Sequence, residues 1–572
     1  MVLKNSKQWL LLSGLFFVTG SLISCATGAS SIQETPLSIH IPITPETPAP
    51  IRSSDGGLVD RIRLLTETGT PQSLLRALDL IRDRDLGNGD FGRTMNIVIL
   101  TLLQKVYPDI GTNIPRGTPS RNHTYTRILR DAEGGNYTAP PSGSQDYLEY
   151  VLPFMALLSE TKAELLLNAV PDLRRAEVLN PSAVLAPYFL GLVYERSGRR
   201  DEARIEYNRA WRLSEECYPA ALGLARIMQR EGQAQSAIRL LQDLVIRYPD
   251  HLSIKRELTF AYYRRGDWSR AEPAIAELLQ RNSRDGEYIL MQAHVLVEQG
   301  EFHKAQAPLD QYASINPNNP LYLFLRARVQ AEGYHNRDAA LNYLRSLLKS
   351  STADDAMSIY AARMLMESNR IEDQHEGRDL LGRLLRTERP SLGVLDLALQ
   401  DAIHREAWKE AQPYLERLLD ERRSAQDLLN AYKVFQGMGN SATALVFAQE
   451  LHEGDPANEE GSIAYIAALI NTKRQSEARQ MIENRLADMP GGAIKSQYYY
   501  LRSRTEDDEE AMLNALRASI FEDPRNLYAL IALFEIYHQR KDERRTLYYL
   551  KQALALAPDN PYLRRYADEY AL

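Results

Sequence analysis

Residues 190–210 read LGLVYERSGRRDEARIEYNRA, and the spacing of a few of these side chains decides the fold. Small residues stand at Gly191 and Ala203, and a bulky aromatic residue stands at Tyr207. Apolar positions recur every three or four residues on both sides of Gly198, which indicates two helices joined by a short turn. The small residues let the helices approach closely, and the tyrosine fills the seam between them. The stretch therefore predicts a packed pair of antiparallel helices.

The same pattern returns every 34 residues along much of the chain. Frames that begin at 150, 184, 218, 252, 286 and 320 keep one register without an insertion. Four of them carry glycine at the turn, where a positive φ is tolerated, namely Gly198, Gly232, Gly266 and Gly300. From about Thr352 the register weakens, although prolines still follow successive helix pairs: Pro390, Pro456, Pro490, Pro524 and Pro558. A fixed period of this length is typical of a solenoid, in which each unit packs against its neighbours.

Leucine, a small residue, an aromatic and alanine at positions 7, 8, 11 and 20 of the period resemble the tetratricopeptide repeat. The resemblance implies an all-α fold, a right-handed α-solenoid of helix-turn-helix repeats. We expect about twelve repeats over residues 150–558, clear over 150–353 and diverged over 354–558. A polar capping helix is expected over 559–572, since a solenoid needs one at its open end.

Residues 56–149 precede the clear repeats and are expected to form a diverged helical region. Periodicity predicts helices over 58–66, 72–82 and 93–107, so that one or two diverged pairs precede the array. A Gly- and Pro-rich stretch predicts a long loop over 108–144 with one short helix near residues 125–133.

The amino terminus is typical of a targeting segment. Two lysines precede an apolar run at residues 9–18, which is too short to remain in a bilayer as a span. Residues 22–25 read LISC and resemble a bacterial lipobox, which implies a signal peptide over 1–24 and lipid attachment, including palmitate, at Cys25. A Ser-, Thr- and Pro-rich tether follows over 25–55. We expect a lipoprotein on the cell membrane or outer membrane, exposed to the periplasm or exterior; the alternative is a plain secretory signal.

The composition limits the kinds of partner. The chain has 572 residues with 75 acidic and 68 basic side chains, a net charge of −7, which argues against nucleic acid because phosphates need a basic surface. Two cysteines cannot build a disulfide scaffold or a thiolate zinc site. We interpret Cys217, the second of them, as a small buried residue.

No motif indicates catalysis, a metal or a cofactor. A calcium loop that began at Asp83 would need an oxygen ligand at position 5, glycine at 6 and glutamate at 12, where the chain has Gly87, Asn88 and Thr94. His375-Glu376 lacks the second histidine of a zinc helix. The stretch 437–442 imitates a dinucleotide fingerprint but has no strand before it. We therefore predict a protein that is not an enzyme and uses no cofactor.

The resemblance places the function in a concave groove that is lined by the first helix of each repeat and binds proteins or peptides. The candidate groove residues are Tyr188, Arg226, Arg230, Arg256, Phe260, Tyr263, Arg264, His294, Phe324 and Arg328. Guanidinium groups and rings fit an extended peptide with carboxylates. The alternative is that these arginines only pair with neighbouring glutamates. The lysines and asparagines that grip chaperone tails in one subfamily are missing from these positions.

These observations lead to one main hypothesis, a non-catalytic, lipid-anchored scaffold of the bacterial envelope that recruits protein partners for assembly or secretion. The alternative is a solute- or lipid-binding accessory of a transport system, with the 108–144 segment as its gate.

Overall fold

The structure, a computed structural model, describes residues 55–84, 86–111, 123–158, 160, 162–349 and 353–570. All regular structure in these residues is helical, which confirms the predicted all-α fold. Within them, no helix has the length and apolar character of a membrane span. The predicted signal peptide, Cys25 and the tether up to residue 54 lie outside the described residues. The described chain divides into an N-terminal unit, which ends at Leu347, and a C-terminal unit, which begins at Leu348.

Eight helices of 4 to 17 residues open the N-terminal unit. They are α1 (Asp55–Thr68), α2 (Pro71–Asp83), α3 (Asp90–Val106), α4 (Pro108–Gly111), α5 (Thr124–Glu133), α6 (Tyr147–Val151), α7 (Ala163–Leu167) and α8 (Val170–Leu179). The first three lie where periodicity predicts helices, and α5 lies where the short helix is predicted.

Regular helix pairs follow, each with a first helix A and a second helix B. In the N-terminal unit they are α9 (Leu185–Arg196) with α10 (Arg200–Leu213), α11 (Tyr218–Arg230) with α12 (Ala234–Arg247), α13 (Leu252–Arg265) with α14 (Trp268–Arg281), α15 (Gly286–Glu298) with α16 (Phe302–Ala313), and α17 (Pro320–Arg328) with α18 (Arg337–Lys349). A π-helical turn, Val329–Gly333, extends α17.

The C-terminal unit continues the pattern in the repeats that have diverged most in sequence. Its pairs are α19 (Asp355–Met366) with α20 (Ile371–Leu385), α21 (Leu392–His404) with α22 (Trp408–Glu421), α23 (Ala425–Gly437) with α24 (Ser441–Gly454), α25 (Glu459–Asn471) with α26 (Gln475–Asp488), α27 (Ala493–Ser503) with α28 (Glu509–Glu522), and α29 (Leu527–Gln539) with α30 (Glu543–Leu556). Helix α31 (Pro561–Glu569) ends the described chain. The predicted solenoid of helix pairs is thereby confirmed.

Close approach of helices explains the small residues of the period. The ring of Tyr207 on α10 lies between two glycines on successive A helices. A Cβ atom on Gly191 would lie 2.4 Å from Tyr207 Cδ1, and one on Gly223 would lie 2.4 Å from Cε2. Tyr207 and Ala203 are fully buried in the seam. One aromatic ring thus holds three helices together, and its fit depends on the missing side chains.

The turn inside each pair keeps one backbone conformation even where its sequence changes. Gly198, Gly232, Gly266 and Gly300 have φ between 71° and 79°, as predicted. Equivalent turns of the C-terminal unit place Glu406, Lys473 and Lys541 at φ of 56°, 63° and 58°. A residue with a Cβ atom pays roughly 1 kcal/mol for this left-handed conformation. Packing of the two helices therefore enforces the turn where glycine is absent.

The first predicted frame, which begins at residue 150, differs from the later pairs. In place of a single helix A, the chain forms α6, a 3-10 helix at Leu152–Leu157, and α7. Pro153 lacks the N–H group that a continuing α-helix would need, and a tighter turn follows it. Only the second helix of this frame, α8, is regular, with Leu173 and Ala176 buried.

The N-terminal helices contact the array along one edge, which the sequence analysis did not predict. The carbonyl of Thr68 accepts a hydrogen bond from Val184 N at 3.2 Å, just before α9. Asp109 accepts from Ser253 N at 3.1 Å, in the first turn of α13, and from Tyr218 Oη at 3.3 Å, in the first turn of α11. These contacts join the segment to the beginnings of three successive A helices.

Cys217 lies beneath this edge. It is fully buried, as predicted, and burial raises the pKa of its thiol to about 12. At the opposite end of the chain, α31 packs Tyr566 against Phe534 of α29, with ring centroids 5.0 Å apart, and Tyr562 Oη donates to Glu535 at 2.7 Å.

The Tyr207 seam leads to a prediction for stability. Gly223→Ala would place a methyl group against the ring, so we expect the free energy of unfolding to fall by about 2 kcal/mol. Gly382→Ala is the matched control, because Gly382 also lies inside a helix but a Cβ atom there would contact nothing within 4 Å. The control should gain roughly 0.5–1 kcal/mol from helix propensity. Urea unfolding measures both; equal behaviour of the two variants would contradict the seam.

Candidate functional site

The A helices lie on the inner side of each unit. Successive A helices pack directly on one another, as α9 does on α11 and α25 does on α27. Among the described residues, successive B helices show no comparable packing. When the A helices of neighbouring pairs pack more closely than the B helices, the stack of pairs curves so that the A helices lie on its concave side. The inner face therefore carries the A-helix side chains that the sequence selects as the groove.

Glu195 on α9 is the centre of the first polar contact on this face. Its carboxylate accepts from Tyr207 Oη at 2.7 Å and from Arg226 Nε and Nη2, both at 3.1 Å. Arg230 Nη1 lies 3.4 Å away. Burial alone would raise the pKa of Glu195, but the contacts with Arg226, Tyr207 and Arg230 outweigh burial and lower it. Glu195 thus links the buried Tyr207 ring to the arginines of the inner face. We call Glu195 with Tyr207, Arg226 and Arg230 the Glu195 node.

Arg226 is held from both sides and is largely unavailable to a ligand. Besides its bidentate contact with Glu195, its Nη1 donates to Glu257 Oε1 on α13 at 3.3 Å. Only 26% of its side chain is exposed. Arg226 therefore joins three successive A helices, α9, α11 and α13.

Arg328 is enclosed in the same way. Its Nη1 donates to Glu298 on α15, and its Nε and Nη2 donate to Glu332 at 3.1 and 3.2 Å. Its guanidinium also lies 6.0 Å from the ring centroid of Phe324. Only 7% of the side chain is exposed. Glu332 belongs to the π-helical turn, so that turn supplies one of the two carboxylates that hold the arginine.

His294 and Tyr263 connect α13 to α15. The Tyr263 hydroxyl shares a hydrogen bond with His294 Nδ1, and His294 Nε2 lies 3.6 Å from Glu298 Oε1. The rings of Tyr263 and His294 lie 5.8 and 5.7 Å from that of Trp268. Burial raises the pKa of Tyr263 to about 12, so its hydroxyl keeps its proton. This cluster holds neighbouring helices together.

Phe260 on α13 has a different environment, and we call Arg256, Phe260 and Arg264 the Phe260 patch. The guanidinium carbons of Arg256 and Arg264 lie 5.4 and 5.7 Å from the centroid of the half-buried ring. Arg256 Nη2 lies 3.3 Å from Glu287, and about half of each side chain is exposed. Arg264 Nη1 donates to the neutral Gln229 Oε1 at 3.1 Å. The patch is accessible, aromatic and cationic.

The remaining predicted groove residues divide between these environments. Tyr188 is buried, with its ring centroid 5.4 Å from that of Phe189 and 6.2 Å from that of Tyr207, so it belongs to the seam. Arg230 is 48% exposed and borders the patch through its neighbour Gln229. The ten predicted residues therefore comprise a packed seam, an internal polar network and a small accessible surface.

A sequence signal for the network exists and was missed. Glu195–Arg226, Arg226–Glu257 and Arg256–Glu287 are each 31 residues apart, three fewer than the period. Such a spacing places the second residue almost one helical turn earlier on the next A helix, where it can reach the first. A search for opposite charges at this offset would have identified the paired arginines.

The inner face of the C-terminal unit carries functional candidates that the sequence analysis did not select. Lys433 is the ninth residue of α23, as Arg226 is of α11. Its Nζ lies 3.8 Å from Glu460 Oε1, and burial lowers its pKa although Glu460 opposes the shift. Tyr500 and Tyr528 pack with ring centroids 5.7 Å apart. The weakened register of this half concealed these positions.

A cavity of about 670 Å³ lies beside the first turn of α27. Its cations already have partners, since Arg485 Nη1 lies 3.3 Å from Glu459 and Lys495 Nζ lies 3.8 Å from Glu522. Glu522 also accepts from Gly492 N at 3.1 Å, which satisfies the helix terminus. The described residues contain no group of three or more His, Cys, Asp or Glu side chains that could hold a metal ion.

The Glu195 node leads to a pH-dependent prediction. Because the pKa of Glu195 is lowered on folding, its stabilisation is present above the ordinary value of 4.5 and is lost as the pH falls through the lowered pKa. Glu195→Gln leaves Arg226 without its main partner, so the free energy of unfolding should fall by about 3 kcal/mol at pH 7. The difference from the wild type should shrink below pH 4.5.

Urea unfolding at several pH values measures this effect. Glu202→Gln is the control, because Glu202 forms an exposed pair with Arg199 at 2.5 Å and should change the unfolding midpoint little. A difference for Glu195→Gln that stays constant to pH 3 would contradict the node.

Comparison with known proteins agrees with the repeat pattern. Sequence models of the tetratricopeptide repeat match residues 162–221 and 229–293. A search of curated proteins finds no match.

Several solved structures resemble part of the chain. PilF of Pseudomonas aeruginosa is 19% identical, with 38% of this chain and 97% of that chain covered and a TM-score of 0.33. A tetratricopeptide repeat protein from Parabacteroides merdae is 12% identical, with 49% and 98% covered and a TM-score of 0.31. PilW, described as a type IV pilus biogenesis factor, is 18% identical, with 36% and 95% covered and a TM-score of 0.33. The chain therefore contains tetratricopeptide repeats at residues 162–221 and 229–293, and similar helix pairs continue beyond them.

Proposed function

We propose that this protein is a non-catalytic, lipid-anchored scaffold of the bacterial cell envelope that binds protein partners on the inner face of its N-terminal unit. Tetratricopeptide repeats are typically protein-interaction modules, which supports the general class of function. Envelope assembly or secretion is the role we assign to it. The observation that carries the proposal is an accessible aromatic and cationic surface, the Phe260 patch, held on a face whose other arginines are fixed by internal contacts.

Preorganisation supports a binding role for this face. Glu195, Arg226 and Glu257 connect α9, α11 and α13, and Glu298 and Arg328 connect α15 and α17. A partner that docks on a face already held in place loses less free energy to ordering of the receptor. Aromatic and arginine side chains are also those that most often dominate binding at protein interfaces.

The anchor rests on the sequence alone. The lipobox-like residues 22–25 and the Pro-rich tether that follows support attachment at Cys25, with the helix pairs held away from the membrane surface. Several acyl chains on one terminus would hold the protein where a single chain would not. The location we propose is the cell membrane or outer membrane, facing the periplasm or exterior.

For the anchor, we expect Cys25→Ala to move the protein from the detergent-soluble membrane fraction to the soluble fraction and to abolish labelling by radioactive palmitate. Cys217→Ala is the matched control, since it removes the other cysteine and should leave both properties unchanged. Retention of Cys25→Ala in the membrane fraction, with label still incorporated, would contradict lipid attachment at this residue.

For partner binding, we expect a photocrosslinking amino acid at position 260 of the full chain to yield a protein-sized adduct in cells. The same amino acid at position 246 is the control, because Ile246 lies on a B helix and is 80% exposed. Mass spectrometry of the adducts identifies the bound species. Adducts of equal yield at both positions would contradict specific binding of a partner at the Phe260 patch. An adduct with only a small molecule at position 260 would contradict the scaffold and favour the solute- or lipid-binding alternative.

A further inference from the structure

We propose that the Phe260 patch binds an extended segment of the partner that carries two carboxylates two or three residues apart on the side that faces the patch. This inference rests on the proposed function and names the chemistry of the partner. It depends on which guanidinium groups are available, on the largest distance that can separate them and on the ring that both of them contact.

Availability separates the inner-face arginines into two groups. Arg226 and Arg328 are 26% and 7% exposed, and each is held by two carboxylates. A ligand carboxylate would have to break these partly buried pairs and leave glutamates without partners, which is costly. These two arginines are therefore structural. Arg230 is 48% exposed, but its Nη1 lies 3.4 Å from the buried Glu195 carboxylate. The Phe260 patch carries the other two of the predicted groove arginines.

Arg264 is the clearest anchor for a carboxylate. Its polar contact is with the neutral oxygen of Gln229, and its guanidinium lies over the Phe260 ring. Among the described residues, no carboxylate forms an ion pair with it within 4.0 Å. An incoming carboxylate therefore gains a charge-assisted hydrogen bond without displacing an internal carboxylate.

Arg256 is occupied but easily released. Its ion pair with Glu287 at 3.3 Å is about half exposed on both sides. Exposed pairs of this kind contribute only about 0–1 kcal/mol, so a ligand carboxylate can replace Glu287 at little cost. Glu287 then acts as a weak internal competitor for the same guanidinium.

The geometry sets an upper limit on the spacing of the two carboxylates. Because each guanidinium carbon lies less than 6 Å from the Phe260 centroid, the two carbons are at most about 11 Å apart. An extended chain rises about 3.3 Å per residue, so acidic residues two or three positions apart span roughly 7–10 Å. A wider separation would leave one carboxylate beyond its arginine.

The Phe260 ring gives the ligand an apolar surface beside both charges. Phe260 is half-buried, and the two guanidinium carbons lie 5.4 and 5.7 Å from its ring centroid. The stretch of ligand that joins the two carboxylates can cover the exposed part of the ring and exclude water from the flanking ion pairs, which strengthens them. Residues two apart in a β-strand, or three apart in a polyproline II chain, project to the same side, so two acidic residues at this spacing can both reach the patch.

Fluorescence anisotropy with the purified full-length protein in detergent tests the proposal. The probe is the labelled peptide Gly-Ser-Gly-Asp-Phe-Asp-Gly-Ser-Gly, compared with the same peptide in which both Asp are Asn. We expect the acidic peptide to bind at least tenfold more tightly than the amide peptide, and to weaken as salt increases. The double variant Arg256→Glu with Arg264→Glu should lose at least tenfold for the acidic peptide.

Two further variants separate binding from misfolding. Arg239→Glu with Arg265→Glu changes the same charge at exposed sites outside the patch and should stay within twofold of the wild type. Glu287→Gln removes the internal competitor and should tighten binding of the acidic peptide severalfold, a gain that misfolding cannot produce. Equal binding of the acidic and amide peptides, equal losses in the two double variants, or no gain in Glu287→Gln would each overturn the proposal.

The two levels of function can fail separately. A protein adduct at position 260 that persists in the Arg256→Glu, Arg264→Glu variant would overturn the acidic segment and leave the scaffold standing. Absence of any protein adduct at position 260 would contradict the proposed scaffold function itself.

Discussion

The fit of the Tyr207 ring between Gly191 and Gly223 is the contact on which the inner face of the N-terminal unit depends. A ring on a B helix can contact two successive A helices only if both lack a side chain where it sits. The contact fixes the distance between α9 and α11, and the Tyr207 hydroxyl then reaches Glu195 at 2.7 Å. Packing of an apolar ring thereby positions a charged group, and that group positions Arg226. The hydrophobic and the polar contacts form one continuous structure.

This coupling explains why a protein with a net charge of −7 places arginines on its inner face. Arg226 and Arg328 hold neighbouring A helices by pairing with Glu195, Glu257, Glu298 and Glu332. The second sequence-based interpretation, in which the groove arginines pair with nearby glutamates, thus describes these two. Arg256 and Arg264, whose contacts are exposed or neutral, keep the capacity to bind a ligand. The same residue type serves structure and recognition, and burial decides which.

The sequence predicted the features that depend on local spacing. Alternation of small and bulky residues in one register identified the helix pairs, and the glycine at the turn identified where each pair reverses. The same reasoning weakened beyond Thr352, because Glu406, Lys473 and Lys541 adopt the positive φ that glycine marks elsewhere. Tertiary packing there imposes what local preference does not. The regular pairs continue through a region in which the sequence signal had become faint.

Features that depend on contacts between distant segments could not be predicted from the sequence. The docking of Asp109 onto Ser253, 144 residues later, has no periodic signal, so the sequence analysis of residues 56–149 did not indicate contacts along the edge of the array. Likewise, the sequence analysis assigned Arg226, Phe260, His294 and Arg328 to one groove because all four stand at position 9 of the repeat, although the burial of their side chains differs. Side-chain burial follows from the neighbours on adjacent helices, which a single repeat does not contain.

The division between structural and available arginines is most directly tested by double-mutant cycles on two ion pairs. The account predicts a coupling energy of about 2–4 kcal/mol between Glu195 and Arg226, because the pair is partly buried and shares the Tyr207 contact. It predicts less than about 1 kcal/mol between Arg256 and Glu287, which are both half-exposed. Equal coupling energies, or a larger one for Arg256 and Glu287, would contradict it.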